Sequence, residues 1–227
     1  MNKEEFLKYY YKLQIKLENE EFLIDKSGVK LVELIAPNFI LNPSQLIVDI
    51  GTRKSPEKYI KLETEWYNSQ ELSISKVDHI KIWNDCADIN KEINSNYGYL
   101  VFGRGNFNQY NHCLNTLIKH KESRQAIIIY NRPSIHYEAT SFDCKDFICT
   151  MHQQFMIRNN QLITVTSMRS NDCIFGTFND IPWFHFVINH MFNNLKMYYN
   201  DLELGEHIFI PNSWHCYEQH FDLLRRL

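Results

Sequence analysis

The sequence predicts an α+β fold, in which helices and strands follow one another without the regular strand–helix–strand repeat of parallel α/β proteins. Three observations support this prediction. Apolar residues recur at helical spacing near the N terminus and again over residues 182–199. Two runs with alternating apolar residues, 151–158 and 161–169, flank an Asn-Asn pair that favours a hairpin turn. The continuous apolar run at 124–131 predicts a strand buried on both faces.

In the N-terminal half, an amphipathic helix is predicted over residues 3–20, where aromatic and leucine side chains share one face. A turn at 25–28 and a pair of strands at 29–35 and 38–48 follow. Residues 56–70 predict a second helix, because Pro56 is well placed in a first turn and an acid and two aromatics share a face.

Further helices and strands are predicted along the rest of the chain. Helices are expected near residues 80–89 and 106–120, with a loop at 91–100 whose Asn and Gly residues favour turns. Residues 133–146 are expected to be irregular. The helix at 182–199 precedes a short strand at 207–211.

Size and charge limit the possible functions. A single domain over residues 1–227 is expected, because a chain of this length buries one sizeable core. The net charge of −3 predicts no broad basic surface for nucleic acid, so an anionic ligand would need a local basic cluster. No apolar run approaches a membrane span and the charged N terminus is unlike a signal peptide, which favours a cytoplasmic protein.

Cysteine spacing argues against a metal site. The chain has no Cys-x-x-Cys pair and no histidine-rich metal spacing, and a reduced state is expected. The six cysteines are Cys86, Cys113, Cys144, Cys149, Cys173 and Cys216.

Chemistry-bearing residues concentrate between Phe147 and Asp180. Cys149 is a candidate nucleophile, Arg169 is followed by a hydroxyl, and the stretch ends on an acid. A hairpin would bring Cys149 and Arg169 to the same rim of the sheet. A thiol near a fixed positive charge favours the thiolate form.

This stretch resembles the active-site segment of the thymidylate synthase superfamily, which has a cysteine, a Gln-Phe pair, an Arg-Ser-x-Asp motif and then a glycine. Here Cys149, Gln154-Phe155, Arg169–Asp172 and Gly176 occur in that order and at matching spacing. From Arg169 to Asp180 the sequence is most similar to the phage deoxycytidylate (dCMP) hydroxymethylase branch. The likeness extends from about residue 22 to residue 224 and is therefore highly specific.

The resemblance implies a fold, an assembly and a reaction. It implies a thymidylate-synthase-like mixed sheet flanked by helices, in a sheet-mediated homodimer. The implied enzyme is a transferase that converts dCMP, 5,10-methylenetetrahydrofolate and water to 5-hydroxymethyl-dCMP and tetrahydrofolate, for phage DNA modification in the host cytoplasm. Addition of Cys149 to C6 of the pyrimidine would make C5 nucleophilic. No metal is implied.

Asp180 argues for cytosine as the base. In thymidylate synthases the matching residue is an asparagine, whose amide complements uracil. Cytosine presents an amino donor at N4 and an acceptor at N3, and a carboxylic acid complements that pattern. The alternative role for Asp180 is an N-cap on a helix beginning near Pro182. Asn179 is the competing residue if the alignment slips by one.

Other catalytic and folate-site residues are implied by the resemblance. Glu63 matches the catalytic glutamate of the family's Glu-x-x-Trp pattern and would manage protons through water. Trp83 matches a tryptophan that lines the folate site, and Asp172 belongs to the folate and active-site network. Tyr97 matches a tyrosine near the nucleophile. Thr150 stands where the family has a histidine, as in the hydroxymethylase branch.

The phosphate and sugar sites are also implied by the resemblance, and guanidinium groups suit phosphate oxygens. Arg124 would reach across the dimer interface into the partner's phosphate site. The family has a pair of arginines there, whereas this chain has Gln125 second, and Arg132 is a candidate substitute. The expected phosphate ligands are Lys26, Arg124, Arg169 and Ser170. The expected ligands of the sugar hydroxyl are His215 and Tyr217.

Alternative functions remain open. A folate-dependent dCMP or CMP methylase, or a CMP hydroxymethylase, would share Asp180. A thymidylate-synthase-like enzyme acting on dUMP would have to tolerate that acid. An inactive nucleotide- or RNA-binding relative is the alternative outside catalysis, and the joint retention of Cys149, Glu63, Arg169 and Asp180 argues against it.

Overall fold

The computed structural model describes residues 3–45, 56–141 and 145–227 and confirms a mixed α+β architecture. Cys144 and the end of the predicted strand at 38–48 lie outside the described residues. The helices are α1 Lys3–Glu18, α2 Glu57–Ser69, α3 Lys81–Cys86, α4 Tyr97–Phe102, α5 Gln109–Lys119, α6 Ile135–Ser141, α7 Gly176–Lys196 and α8 Phe221–Leu224. The strands are β1 Leu23–Ile24, β2 Lys30–Ile35, β3 Phe39–Leu41, β4 Ile127–Ile129, β5 Thr150–Arg158, β6 Gln161–Met168, β7 Asn171–Asp172, β8 Glu203–Pro211 and β9 Ser213–Tyr217.

The chain forms two compact units, and each is described by itself. The first comprises Met1–Pro56 and Arg158–Leu227, and the second comprises Glu57–Ile157. The expectation of a single domain stays a prediction.

Two sets of paired strands organise the first unit. In the first set, the strand order is β1-β2-β9-β7, with β2 antiparallel and β7 parallel to β9. In the second set, β8 lies between β3, to which it is antiparallel, and β6, to which it is parallel. The strands predicted at 29–35 and 38–48 correspond to β2 and β3, but the prediction that they pair with each other was wrong, because β2 pairs with β9 and β3 pairs with β8.

Helices α1 and α7 supply most of the aromatic core of the first unit. One face of α1 is buried as its spacing predicted, and Phe6 stacks on Phe39 with ring centroids 4.4 Å apart. Helix α7 is apolar over most of its circumference and buries Trp183 and Phe184. It begins six residues before the predicted start, so Pro182 lies inside the helix.

The second unit packs α2 against α4. Glu63, Trp66 and Tyr67 share the buried face of α2, as predicted. A Cβ atom at Gly98 would lie 1.7 Å from the carbonyl oxygen of Tyr67, so only glycine permits this helix approach. Asn96 caps α4 by accepting a hydrogen bond from the backbone N–H of Tyr99. The prediction of a loop throughout 91–100 was therefore wrong.

Strands β4 and β5 pair antiparallel, with Ile128 opposite Gln153. Strand β4 is shorter than predicted and is buried on one face only: Ile128 is fully buried, whereas Ile127 and Ile129 are 37% and 56% exposed. The prediction of a strand buried on both faces was thus wrong for this chain taken alone. Part of the stretch expected to be irregular forms α6.

The turn between β5 and β6 has the geometry that its sequence predicts. Asn159 and Asn160 have φ values of 49° and 60°. A type I′ turn requires positive φ at both central residues, and asparagine tolerates that conformation. Within the described ranges, no helix combines the length and the hydrophobicity needed to cross a lipid bilayer.

Candidate active site

The residues that the sequence nominates are divided between the two units. The second unit carries Glu63, Trp83, Tyr97, Arg124 and Cys149. The first unit carries Lys26, Arg169, Ser170, Asp172, Asp180, His215 and Tyr217.

In the second unit, Cys149 lies immediately before β5 and is half-buried. It takes part in no disulfide, and its Sγ lies 3.9 Å from the carbonyl oxygen of Phe147. The next residue, Thr150, is fully buried and its hydroxyl donates to the Tyr97 hydroxyl oxygen at 2.8 Å. Tyr97 therefore contacts the residue that directly follows the candidate nucleophile. That residue, Thr150, stands where the family has a histidine.

Glu63 is buried on α2, one helical turn after Tyr59. The Tyr59 hydroxyl donates to Glu63 Oε1 at 2.6 Å. A short hydrogen bond to a carboxylate is charge-assisted and holds the acceptor in one orientation. Glu63 is therefore held in one orientation in the interior of the unit, and its role in proton transfer stays a prediction.

Trp83 on α3 packs edge-on against Trp66, with ring centroids 5.0 Å apart. Its indole Nε1 is buried and has no hydrogen-bond partner among the residues that the structure describes. Leaving a buried donor unpaired costs about 1–3 kcal/mol. An unpaired donor on an aromatic ring can serve a planar ligand with polar edges, and the folate-site role of Trp83 stays a prediction.

Arg124 is exposed just before β4, and its backbone carbonyl accepts a hydrogen bond from the Gln154 amide at 2.8 Å. Arg132 is instead engaged within its own unit. Its guanidinium donates to Glu138 at 2.6 Å and to Asn94 at 2.7 Å. These contacts make Arg132 a poor substitute for the missing second arginine, whereas Arg124 projects from an exposed segment.

In the first unit, the strand register brings three ionisable residues into one row. Glu33 on β2 is opposite His215 on β9, which is opposite Asp172 on β7. Burial lowers the pKa of His215, and the Asp172 and Glu33 carboxylates act in the opposite direction. The His215 ring packs edge-on against Tyr217 at 4.7 Å, so the two predicted sugar ligands are in contact.

Asp172 organises the entry into α7. Its Oδ1 accepts hydrogen bonds from the backbone N–H groups of Ile174, Phe175 and Gly176, at 3.0, 2.5 and 3.4 Å. These donors belong to the start of the helix, where a carboxylate is favoured. The other oxygen, Oδ2, is buried without a hydrogen-bond partner within the described ranges. Asp172 thus holds the helix start and retains one oxygen for a further donor.

Asp180 lies inside α7, so it is not the N-cap that the sequence offered as an alternative role. Its Oδ2 accepts a hydrogen bond from the Asn171 side-chain amide at 2.8 Å. Burial raises the pKa of Asp180 to about 7, the Asn171 hydrogen bond opposes that rise, and the Asp172 carboxylate adds to it. The side chain keeps some accessible surface. At neutral pH the carboxyl therefore exists in both protonation states and can donate as well as accept.

Two basic segments of the first unit complete the nominated residues. Arg169 and Ser170 follow β6 and are half-buried. Lys26 is exposed in a turn that Asp25 fixes, because Asp25 Oδ1 accepts from the backbone N–H groups of Ser27 and Val29 at 2.7 and 3.0 Å. The roles of Lys26, Arg169 and Ser170 as phosphate ligands stay predictions.

Sequence reasoning missed two residues that contact the nominated acids. Tyr59 donates to Glu63, and its position four residues earlier on a helix was an available signal. Asn171 donates to Asp180, and its only signal was its place inside the Arg169–Asp172 motif. No group of three or more potential metal ligands occurs in the part of the chain that the structure describes.

The family model of thymidylate synthase matches residues 8–227. The chain belongs to the thymidylate synthase family. It is 33% identical over 216 residues to the deoxycytidylate 5-hydroxymethyltransferases of Enterobacteria phages T4, T2 and T6, which covers 93% of this chain and 86% of each relative.

Family membership confirms the resemblance, the fold class and an enzyme that transfers one-carbon groups. Members of the thymidylate synthase family act on pyrimidine nucleotides and use methylenetetrahydrofolate.

Proposed function

We propose that this thymidylate synthase family enzyme is a deoxycytidylate 5-hydroxymethyltransferase. It converts dCMP to 5-hydroxymethyl-dCMP, with methylenetetrahydrofolate supplying the one-carbon unit and water supplying the hydroxyl group. The similarity to the phage enzymes supports this reaction. The observation that carries it is the Asp180 carboxyl, which lies inside α7, accepts a hydrogen bond from Asn171, and has a pKa that burial raises to about 7.

The argument from Asp180 rests on hydrogen-bond complementarity. Cytosine requires one acceptor for its N4 amino group and one donor for N3, and uracil requires the opposite arrangement at both positions. A protonated carboxyl supplies one acceptor and one donor, whereas a carboxylate supplies acceptors only. A pKa of about 7 keeps the protonated form available at neutral pH. A proton at N3 also stabilises the charge that reaches the ring when a nucleophile adds at C6.

The remaining residues take the roles that family membership suggests for them. The Cys149 thiolate adds to C6, which gives C5 the electron density to accept the one-carbon unit. The bond between sulfur and C6 breaks again after C5 has lost its proton and water has added to the transferred carbon. Glu63, held by Tyr59, transfers protons at the ring and at the transferred carbon through water. Trp83 and Asp172 contact the folate. The nucleotide is held by Lys26, Arg124, Arg169, Ser170, His215 and Tyr217.

The enzyme is proposed to work as a homodimer, in which Arg124 of each copy reaches into the partner's active site and contacts the phosphate of the nucleotide. Three apolar side chains of the second unit support this assembly, since Ile127, Ile129 and Met151 on β4 and β5 are at least 36% exposed, and Arg124 lies in the exposed segment just before β4. Exposed apolar surface of this kind commonly marks a protein interface.

Mass spectrometry of the products tests the reaction. The enzyme is given dCMP, CMP or dUMP, each with methylenetetrahydrofolate. A gain of CH2O on dCMP alone supports the proposal, whereas a gain of CH2 would make the enzyme a methylase. Modification of CMP or dUMP in preference to dCMP would contradict the proposed substrate. No product from any nucleotide would favour a binding protein.

Substituting Asp180→Asn tests the recognition of the base. The amide should shift the ratio of kcat/KM for dCMP over dUMP toward dUMP by about thirtyfold or more, because an unmatched buried hydrogen-bonding group costs about 1–3 kcal/mol and two contacts change. An unchanged ratio would contradict the assigned role. The neighbouring variant Asn179→Asp is the control for an alignment slip of one residue.

A further inference from the structure

A chain of buried hydrogen bonds in the first unit ends at Asp180. The indole Nε1 of Trp214 donates to Thr177 Oγ1 at 2.9 Å. Thr177 Oγ1 lies 2.6 Å from Asn171 Oδ1, and Asn171 Nδ2 lies 2.8 Å from Asp180 Oδ2. Trp214 and Thr177 are fully buried, and Asn171 is 3% exposed.

The direction of every hydrogen bond in this chain follows from its first member. An indole N–H can only donate, so the Thr177 oxygen must accept from Trp214. The single hydroxyl hydrogen of Thr177 is then free to donate to Asn171 Oδ1. Its next acceptor, the backbone carbonyl of Asp172, is more distant, at 3.3 Å. With its oxygen facing Thr177, the Asn171 amide must turn its NH2 group toward Asp180.

This fixed orientation makes the two oxygens of Asp180 unequal. Oδ2 accepts a hydrogen bond from the Asn171 amide. A proton on Oδ2 would point at the hydrogen of that donor and be repelled, so Oδ2 remains an acceptor. Oδ1 makes no hydrogen bond among the residues that the structure describes, and the side chain keeps accessible surface. When the carboxyl binds a proton, the proton therefore resides on Oδ1.

We propose that Trp214, Thr177 and Asn171 are positioning residues that assign separate tasks to the Asp180 oxygens. Oδ2 accepts from the N4 amino group of the base, and Oδ1 carries the proton that is donated to N3. This inference rests on the proposed preference for cytosine. It adds that selectivity depends on residues that the base does not touch.

A measurement without any nucleotide first tests whether this hydrogen-bond chain controls the protonation of Asp180. The carboxyl of Asp180 is titrated by carbon-13 NMR in the wild type, Thr177→Val and Thr177→Ser, with Asp180→Asn to assign the signal. Valine matches threonine in shape but frees the Asn171 amide to turn its oxygen toward the acid. The pKa of Asp180 should then rise by roughly one pH unit, and serine should restore it. The neighbouring charged group, Asp172, is the same in all of these proteins.

Substrate selectivity provides the second readout. Thr177→Val should lower the ratio of kcat/KM for dCMP over dUMP by about tenfold or more, through a higher KM for dCMP, and Thr177→Ser should restore it. Thr164→Val is the matched control. Thr164 is another fully buried threonine of the same unit, and its hydroxyl has no hydrogen-bond partner within the described ranges. Thr164→Val should leave both the pKa of Asp180 and the ratio of kcat/KM for dCMP over dUMP unchanged.

The outcomes separate this inference from the proposed function. If the wild type modifies no cytosine nucleotide, the proposed function fails, and the ligand-free titration still decides whether the hydrogen-bond chain sets the state of Asp180. An unchanged titration and selectivity in Thr177→Val would overturn the inference. If the valine variant does not fold, Thr177→Ala removes the same hydroxyl without retaining the branched side chain. Loss of selectivity in Thr164→Val would indicate a general packing effect and would also overturn the inference.

Discussion

The raised pKa of Asp180 makes the stability of this protein depend on pH, and Asp180→Asn removes that dependence. The carboxyl has a pKa of about 7 in the folded protein, against an ordinary value of 3.8. The folded state therefore binds the proton more tightly than the unfolded chain. Stability from this group is fully present below pH 3.8 and is lost progressively as the pH rises through 7.

The magnitude follows from the width of that window. From pH 5 to about pH 7, the Asp180 carboxyl is ionised in the unfolded chain but still protonated in the folded protein. Over these roughly two pH units, the free energy of unfolding of the wild type falls by about 1.4 kcal/mol per unit. The limit is about 3 kcal/mol, and solvent screening of the partly accessible carboxyl reduces the expected value to about 2 kcal/mol.

Urea denaturation at pH 5 and pH 8, at one protein concentration, measures this effect. The free energy of unfolding of Asp180→Asn, relative to the wild type, should rise by about 2 kcal/mol from pH 5 to pH 8. Asp222→Asn, at an exposed site on α8, controls for loss of a surface charge. A difference between Asp180→Asn and wild type that stays constant over this range would refute the reasoning.

Three further substitutions test the nominated residues. Cys149→Ser should reduce tritium release from C5 of labelled dCMP by at least about a thousandfold, because a hydroxyl is a much weaker nucleophile than a thiolate, and calorimetry should still detect dCMP binding. Tyr59→Phe removes the hydrogen bond to Glu63 and should lower kcat about tenfold, with the KM for dCMP unchanged. Asp25→Ala loosens the turn that carries Lys26 and should raise the KM for dCMP about three- to tenfold, with little change in kcat.

Matched exposed residues control for these changes. Tyr198→Phe removes a hydroxyl from a side chain that is 60% exposed, and Asp222→Ala removes an exposed carboxylate. Both should leave the kinetic constants close to those of the wild type. Tritium release by Cys149→Ser at the wild-type rate would require another nucleophile. An unchanged kcat in Tyr59→Phe, or an unchanged KM in Asp25→Ala, would contradict the role given to each hydrogen bond.

Local patterns predicted the elements whose structure depends on near neighbours in the chain. The amphipathic faces of α1 and α2 and the turn at Asn159–Asn160 follow from spacing and backbone preferences. The start of α7 does not follow from local spacing, because the sequence predicts a helix that begins near Pro182 whereas α7 begins at Gly176. The actual start is fixed by Asp172, whose carboxylate accepts from the first N–H groups of the helix.

The missed features depend on contacts that spacing does not reveal. Asn171 and Asp180 are nine residues apart, at a separation with no helical or strand periodicity, and their hydrogen bond arises only because β7 leads into α7. The apolar run at 124–131 indicated burial correctly for Ile128. It could not show that Ile127 and Ile129 are exposed on the isolated chain.

The exposed isoleucines of β4 have a consequence for genetics. If two copies pack through this face, Arg124 of one copy completes the site that contains Cys149 of the other. Cys149→Ser and Arg124→Ala, each inactive alone, would then form mixed dimers. In such a dimer, one site carries both substitutions, and the other combines an intact Cys149 with an intact Arg124. Random pairing of equal amounts makes half of the dimers mixed, so about a quarter of wild-type activity should return. Two defective alleles of one gene would then complement each other in the same cell.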